Sequence, residues 1–434
     1  MPGGYPQVVR PRAGVEEGRR PLTWAQRRFL FVLGIPAFGL ALAYTVVTTY
    51  LPVLITGWAG PATTGLLLGA EGVLALVVPV LAGSWSDRSA SRLPVVLAGA
   101  AMVVAALLLL PAEAGAPVWV GVLLGAFFVG YFVYYTPYYA LYPDLVPEEA
   151  RGRSQGFQGG LRSVGLLLAL AGGGHLLSLW TPLPFVVGAV AVAAGTAALF
   201  LPLRGVRQAP RGRTGSGHGF GAAARMVRDD AAIRHWAIVN ACLEAAIGAL
   251  RTFVVLYLTA GLGYSLTGAS GALVLVGVSA VVAAPLAGKL ADRFGARRVM
   301  LVSVCVFALG LTAPVLTSDT ALVAAVVPVA FAAVVLMTLP YTILMALMPE
   351  SEHGVAAGLF GLSRGAGIVA GPLLAGLAVA ALDTVPLLTF ADTDGYSAVF
   401  AVAVVLLGTS VVFLRRARHD RAAGQPRNSR RGSG

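Results

Sequence analysis

Apolar residues run along this chain in blocks of roughly 20 or more, the length that a helix needs to cross a hydrocarbon core. Six blocks lie at about residues 29–56, 62–84, 93–112, 117–142, 154–179 and 182–203. Six more follow at about 235–260, 265–288, 298–317, 321–347, 355–381 and 396–414. The pattern predicts an all-α membrane protein with twelve transmembrane helices, and an even number of spans puts both termini on one side.

Composition agrees, because 57% hydrophobic and 12% charged residues in 434 leave too little polarity to coat a soluble globule. Charge placement adds the orientation, since basic residues stay in short cytoplasmic loops. Of the 31 Lys and Arg, 28 fall in the two tails or in the even-numbered loops, and Arg162, Arg251 and Arg364 fall within apolar blocks. The odd-numbered loops hold instead Glu113, Asp319, Asp383, Asp392 and Asp394. Both termini are therefore expected in the cytoplasm and the protein in the cell membrane. The net charge of +12 follows from topology without a nucleic-acid partner.

The expected organisation is a tail (1–28), a six-helix bundle (29–203), a linker (204–234), a second six-helix bundle (235–414) and a basic tail (415–434). The first span is too long for a secretory leader and reads as a retained anchor. The linker is rich in Arg and Gly, a composition unable to bury enough apolar area to fold alone, with a short surface helix expected at 223–230. Cys242 and Cys305 stand apart from each other and from histidines, so neither a disulfide nor a metal site is expected. His175 is the single intramembrane histidine, and the sequence has no phosphate-binding Gly-rich loop before a Lys-Ser/Thr. Enzyme chemistry, cofactors and ATP-driven pumping are accordingly not expected.

The two bundles are copies. Gly83-Ser-Trp-Ser-Asp87-Arg88 after the second block returns as Gly288-Lys-Leu-Ala-Asp292-Arg293-Phe-Gly295-Ala-Arg297-Arg298 after the eighth, 205 residues on. Pro137-Tyr138 returns as Pro340-Tyr341, and Gly156 and Arg162 return as Gly358 and Arg364. The second copy of the loop resembles the signature loop of the major facilitator superfamily. That resemblance implies a secondary transporter whose two halves, related by a pseudo-two-fold axis, rock about a central crevice. It implies a conformational latch built from Gly83, Asp87, Arg88, Gly288, Asp292, Arg293, Gly295 and Arg297, and a monomer as the working unit. The first copy departs from the pattern, with Ala90 in place of the second glycine and Leu93 in place of the last arginine. Arg162 and Arg364 each need a partner or water at their depth. The family arrangement suggests Arg364 beside Asp87 and Arg162 beside Asp292 when the inside is closed, with partners in the same half as the alternative.

Two of the 19 acidic residues lie well within apolar blocks, Glu71 and Glu244. A carboxyl group in an apolar setting gives up its proton less readily than in water, which suits either one to proton coupling. Arg251 is two turns beyond Glu244, about 10 Å along the axis, and Asn240 one turn before it, so these three can face one cavity; Glu71 can pair with Arg251. The end of the fourth block is dense in aromatic residues, among them Tyr131, Tyr135 and Tyr138. Tyr44 in the first block and Tyr341 in the tenth add to a candidate substrate cavity, and tyrosine offers both a stacking face and a hydroxyl. The segment from Pro137 to Arg162 resembles the corresponding region of cation-linked glycoside and sucrose symporters. That resemblance implies proton-coupled sugar or glycoside symport, with sodium as another possible ion and with export of a drug or aromatic metabolite against protons as the alternative.

Overall fold

The computed structural model describes residues 23–89, 91–146, 148–204, 225–318, 323–347 and 353–424. The expected amino-terminal tail up to residue 22, Ala90, the Arg/Gly-rich run 205–224 and residues 425–434 lie outside them. Twelve helices of 17 residues or more follow one another among the described residues. They are α1 (Trp24–Ile55), α2 (Pro61–Arg88), α3 (Leu93–Leu109), α4 (Pro117–Leu145), α5 (Glu148–Leu179), α6 (Leu183–Leu203), α7 (Ala231–Leu256), α8 (Leu266–Phe294), α9 (Ala296–Leu316), α10 (Val323–Leu347), α11 (His353–Leu382) and α12 (Ala398–Gly424). Ten contain a stretch long and apolar enough to cross a membrane, and Leu93–Leu109 and Val326–Tyr341 supply two shorter apolar helices. A short helix at 225–229 precedes α7.

Several ends have a local cause. Thr23 caps α1, accepting from the Gln26 amide while the Gln26 side chain accepts from the Thr23 amide, a reciprocal arrangement that satisfies two otherwise unpaired donors. The Asp230 carboxylate caps α7 through the amides of Ala232 and Ile233. A π-turn, Tyr257–Gly261, closes α7. Gly295, at φ 85°, turns the chain from α8 into α9, a backbone region that glycine enters without steric cost.

The two halves, α1–α6 and α7–α12, repeat one packing scheme. In the first, α1 packs on α5 and α6, α3 on α4 and α6, and α2 on α4; in the second, α7 packs on α11 and α12, α9 on α10 and α12, and α8 on α10. One buried apolar cluster fills the first half and another most of the second. Large apolar side chains such as Leu81, Trp85, Val190, Leu309 and Val405 are exposed, as helices solvated by lipid require.

Between the halves, α2 lies along α11 and α5 along α8. Glycines set where these pairs touch. A Cβ on Gly69 would stand 2.9 Å from the Val369 carbonyl oxygen, one on Gly72 would meet Gly365 and Val369, and one on Gly65 would meet the Pro372 carbonyl. On the other pair, Gly174 abuts Leu266 and Ser270, and Gly277 abuts Leu167. All these contacts lie in the parts of the helices remote from the chain termini. Toward the termini, Gly156, Gly159, Gly160, Gly288 and Gly361 have nothing within 4 Å of a would-be Cβ, and Gly83 meets only Thr136 of its own half. The seam is closed at the far end and parted at the tail end.

Candidate functional site

The parted seam leads to a group of ionisable side chains contributed by both halves. Glu71 projects from α2 with 2% of its surface exposed. The Tyr44 hydroxyl of α1 donates to Glu71 Oε1 at 2.6 Å, and Arg251 Nη2 of α7 donates to Oε2 at 3.3 Å. The same guanidinium lies 4.8 Å from the centroid of the Tyr44 ring, within the reach of a cation–π attraction. Three helices from two halves thus converge on one buried carboxylate. Paired charges of this kind are what a low-dielectric interior tolerates, because removing either partner strands the other.

A second pair lies on the same side of the crevice. Arg364 Nε of α11 is 3.5 Å from Glu244 Oε1 of α7, an ion-pair distance without the geometry of a hydrogen bond, since Arg364 Nε has no hydrogen-bond partner. Gly367, one turn beyond Arg364, lets α11 approach α7 beside the Glu244 side chain. Asn240 donates through Nδ2 to Ser363 Oγ at 2.9 Å, which ties the two helices one turn nearer the tail end. In this conformation Arg364 takes the partner in its own half, and Asp87 takes Arg92 at 2.6 Å; neither cross-half pair with the latch aspartates forms while the seam is parted at that end.

Across the crevice, α4 carries a ladder of tyrosines. Tyr131 stacks on Tyr135 with ring centroids 5.7 Å apart, Tyr44 lies 5.0 Å from Tyr131, and Tyr135 lies 4.0 Å from Tyr139. Arg162 of α5 is exposed to the crevice beside this ladder. Tyr138 does not join it. Its ring is fully buried, its hydroxyl donates to the Leu33 carbonyl at 2.8 Å and meets the Tyr142 hydroxyl at 2.9 Å. It stands on the opposite face of α4 and glues α4 to α1, which corrects its expected place in the cavity. Tyr341 is 42% exposed and packs edge-on against Phe360 of α11.

At the tail end, Arg92 bridges Asp87 and the Asp144 carboxylate at the end of α4, the latter through Nε at 2.8 Å. Sequence reasoning passed over Arg92, although it stands nine residues after Gly83 as Arg297 stands nine after Gly288. Arg297 itself donates to the Leu414 carbonyl of α12 at 2.5 Å. Asp87, Arg88, Asp292 and Arg293 are exposed on that face. Also missed was Ser270 on α8, whose Oγ accepts from the Gly174 amide at 2.8 Å and meets the Tyr50 hydroxyl at 3.0 Å. That buried contact joins the halves at the far end, and a lone serine in an apolar block gave no signal for it.

The sequence matches the Major Facilitator Superfamily over residues 33–282 and 236–433. No curated protein matches it. Among solved structures, a bacterial homologue of the human lysosomal transporter Spinster, in an inward-facing and unoccupied conformation, superposes with a TM-score of 0.73 at 18% identity, covering 96% of this chain and 100% of that one. The same homologue in an inward-facing and occupied conformation gives 0.71 at 17% identity, over 94% and 100%. The nucleoside transporter NupG gives 0.71 at 14% identity, over 90% and 97%. At these identities the likeness concerns the fold.

Proposed function

The chain belongs to the Major Facilitator Superfamily, and from that premise we propose that it couples transport of a small organic solute to protons through Glu71. The family and its fold make the protein a multi-pass secondary transporter that works by alternating access, and not an enzyme. The reading of direction and sidedness rests on the basic loops: with Arg88, Arg92, Lys289, Arg293, Arg297 and Arg298 held in the cytoplasm, the parted tail end is the inner face of a cell-membrane protein that works as a monomer.

One observation carries the coupling proposal. The most buried carboxylate in the crevice is bound from the other half by Arg251 and from its own half by Tyr44. A proton on Glu71 cancels the charge that holds Arg251, so protonation alters an attraction that spans the two moving bodies. A ligand shifts such a two-state equilibrium only through differential interaction with the two states, and this ion pair supplies it. Glu244 and Arg364 form a second, more exposed pair in which each charge offsets the other.

The solute reading follows from the tyrosine ladder, whose half-buried rings suit the apolar side of a glycoside or of an aromatic metabolite. Sugar or glycoside symport fits the span 4/5 resemblance. A second reading, antiport with export of an aromatic metabolite, is favoured by one fact: Asn240 already serves Ser363 and is not free to bind a sugar hydroxyl. Internal pH in proteoliposomes, followed while glycosides and aromatic compounds are added outside, separates the two. Solute-dependent acidification in wild type and not in Glu71→Gln supports symport. Solute uptake with internal alkalinisation supports antiport, and pH changes that persist in Glu71→Gln would remove Glu71 from the coupling role.

A further inference from the structure

Among the described residues the charges of the crevice do not balance. Glu71 and Arg251 cancel, Glu244 and Arg364 cancel, and Arg162 remains. Among the described residues it has no carboxylate at ion-pair distance, and foremost among the titratable groups that act on it are the neutral phenols of Tyr139, Tyr135 and Tyr131 and the cation Arg364. An uncompensated arginine inside a membrane protein is costly and marks a functional place by default.

The space beside Arg162 is shaped for something. A cavity of about 110 Å³ is lined by Arg162, Tyr139, Gln155, Gln158 and Gly159. Gln158 is 2% exposed, and its amide Nε2 is buried without a hydrogen-bond partner. A buried donor left unpaired is expensive, and its residue is among those that line the cavity beside the guanidinium. Gly159 keeps the wall between them clear of a side chain, with nothing within 4 Å of its would-be Cβ. The lining thus offers a planar fork of N–H donors, an amide N–H and a phenol O–H, with no negative group. That donor set is complementary to a carboxylate, which accepts two parallel bonds from arginine. The rungs next to the cavity, Tyr135 and Tyr131, stack on one another and are half-buried, an aromatic wall for whatever extends from it.

We propose that Arg162, Gln158 and Tyr139 form an anion subsite of the crevice, and that the transported solute carries a carboxylate beside a ring that packs against the Tyr135 and Tyr131 wall. Such a solute brings the crevice to neutrality, which lowers the cost of carrying its charges through the occluded state. The assignment rests on the crevice being the substrate path, as proposed above, and narrows the solute to an organic acid, whether an aromatic acid or an acidic glycoside.

Matched pairs of probes test it: benzoate against benzamide, and phenyl glucuronide against phenyl glucoside, with inorganic phosphate and chloride as bare anions. Binding is measured as thermal stabilisation of the purified full-length protein at constant ionic strength. In wild type, at least one acid should bind about tenfold or more tightly than its neutral twin, the weight of a hydrogen bond to a charged group. Arg162→Gln should abolish that preference by weakening the acid far more than its neutral twin, and Arg162→Lys should restore part of it. Equal binding of acid and neutral twins, a preference that survives Arg162→Gln, stabilisation by inorganic anions only, or no acid separating wild type from Arg162→Gln at tens of millimolar would each overturn the proposal. Binding of an acid at Arg162 with no flux into proteoliposomes would leave the subsite standing and sink the transport reading instead.

Discussion

Gly174 offers the sharpest test of the seam as a gate. It sits where α5 crosses α8; its amide donates to Ser270 Oγ at 2.8 Å, and Tyr50 meets the same oxygen while donating to the Leu170 carbonyl at 2.8 Å. A Cβ at 174 would overlap both Ser270 Oγ and the Leu266 carbonyl oxygen. Backbone cannot yield there as a flexible side chain would, so Gly174→Ala pushes the halves apart at the far end. Overpacking of a tight interior costs about 1–3 kcal/mol, and in alternating access the cost falls on the far-closed state alone. At about 1.4 kcal/mol per factor of ten, the population open at the far end rises by about 5- to 150-fold. Ser270→Ala moves the balance the same way by removing two hydrogen bonds, each worth about 0.5–1.5 kcal/mol net. The readout is labelling of Leu273→Cys, a position with 3% exposure whose side chain belongs to the apolar cluster of the first half. It is made in a Cys242→Ser, Cys305→Ser background and probed with a membrane-impermeant maleimide from the far side. A parental labelling rate in both variants, with the protein still folded, would refute the gate.

Other predictions concern the charges. Tyr44→Phe keeps the ring under Arg251 but removes the donor to Glu71, a charge-assisted bond worth about 1.5–3 kcal/mol; coupled uptake in proteoliposomes should fall by about tenfold or more, and wild-type rates would contradict the assigned role. Glu244→Gln leaves Arg364 unpaired, but because Arg364 is 40% exposed the loss should be at most about 1 kcal/mol. That corresponds to about 1 °C in thermal midpoint for a chain of 434 residues, recovered in the Glu244→Gln, Arg364→Gln double variant; additive losses would deny the pair. Arg92→Ala and Asp144→Asn should be non-additive in a thermal double-mutant cycle by about 1 kcal/mol or more, because both side chains are largely buried and share one contact; strict additivity would remove Arg92 as the bridge.

The twelve helices were legible because a membrane forces every span to announce itself as an apolar block. Their polar extensions were not. α1 begins at Trp24 rather than near residue 29, and α8 runs on to Phe294 rather than stopping near 288, since capping and backbone hydrogen bonding continue past the point where hydropathy falls. The duplicated arginines and the buried glutamates were legible as isolated charges. Their partners were not, because partner choice depends on helix rotation and on which end of the seam is closed. Tyr138 shows the limit most clearly: one turn separates it from Tyr134 and Tyr142, which share its buried face, while Tyr131, Tyr135 and Tyr139 line the other. The 3.6-residue period held that information, but nothing in the sequence says which of two aromatic faces looks inward.

The central claim is that Glu71 ties proton movement to the exchange between states. Counterflow and gradient-driven accumulation, measured side by side in proteoliposomes with one transported solute, test it most directly. Exchange of solute for solute needs the crevice and the moving seam but no net proton transfer. Glu71→Gln, which mimics the protonated carboxyl, is predicted to keep counterflow and to lose accumulation under a proton gradient. Accumulation retained alongside counterflow in that variant would contradict the account.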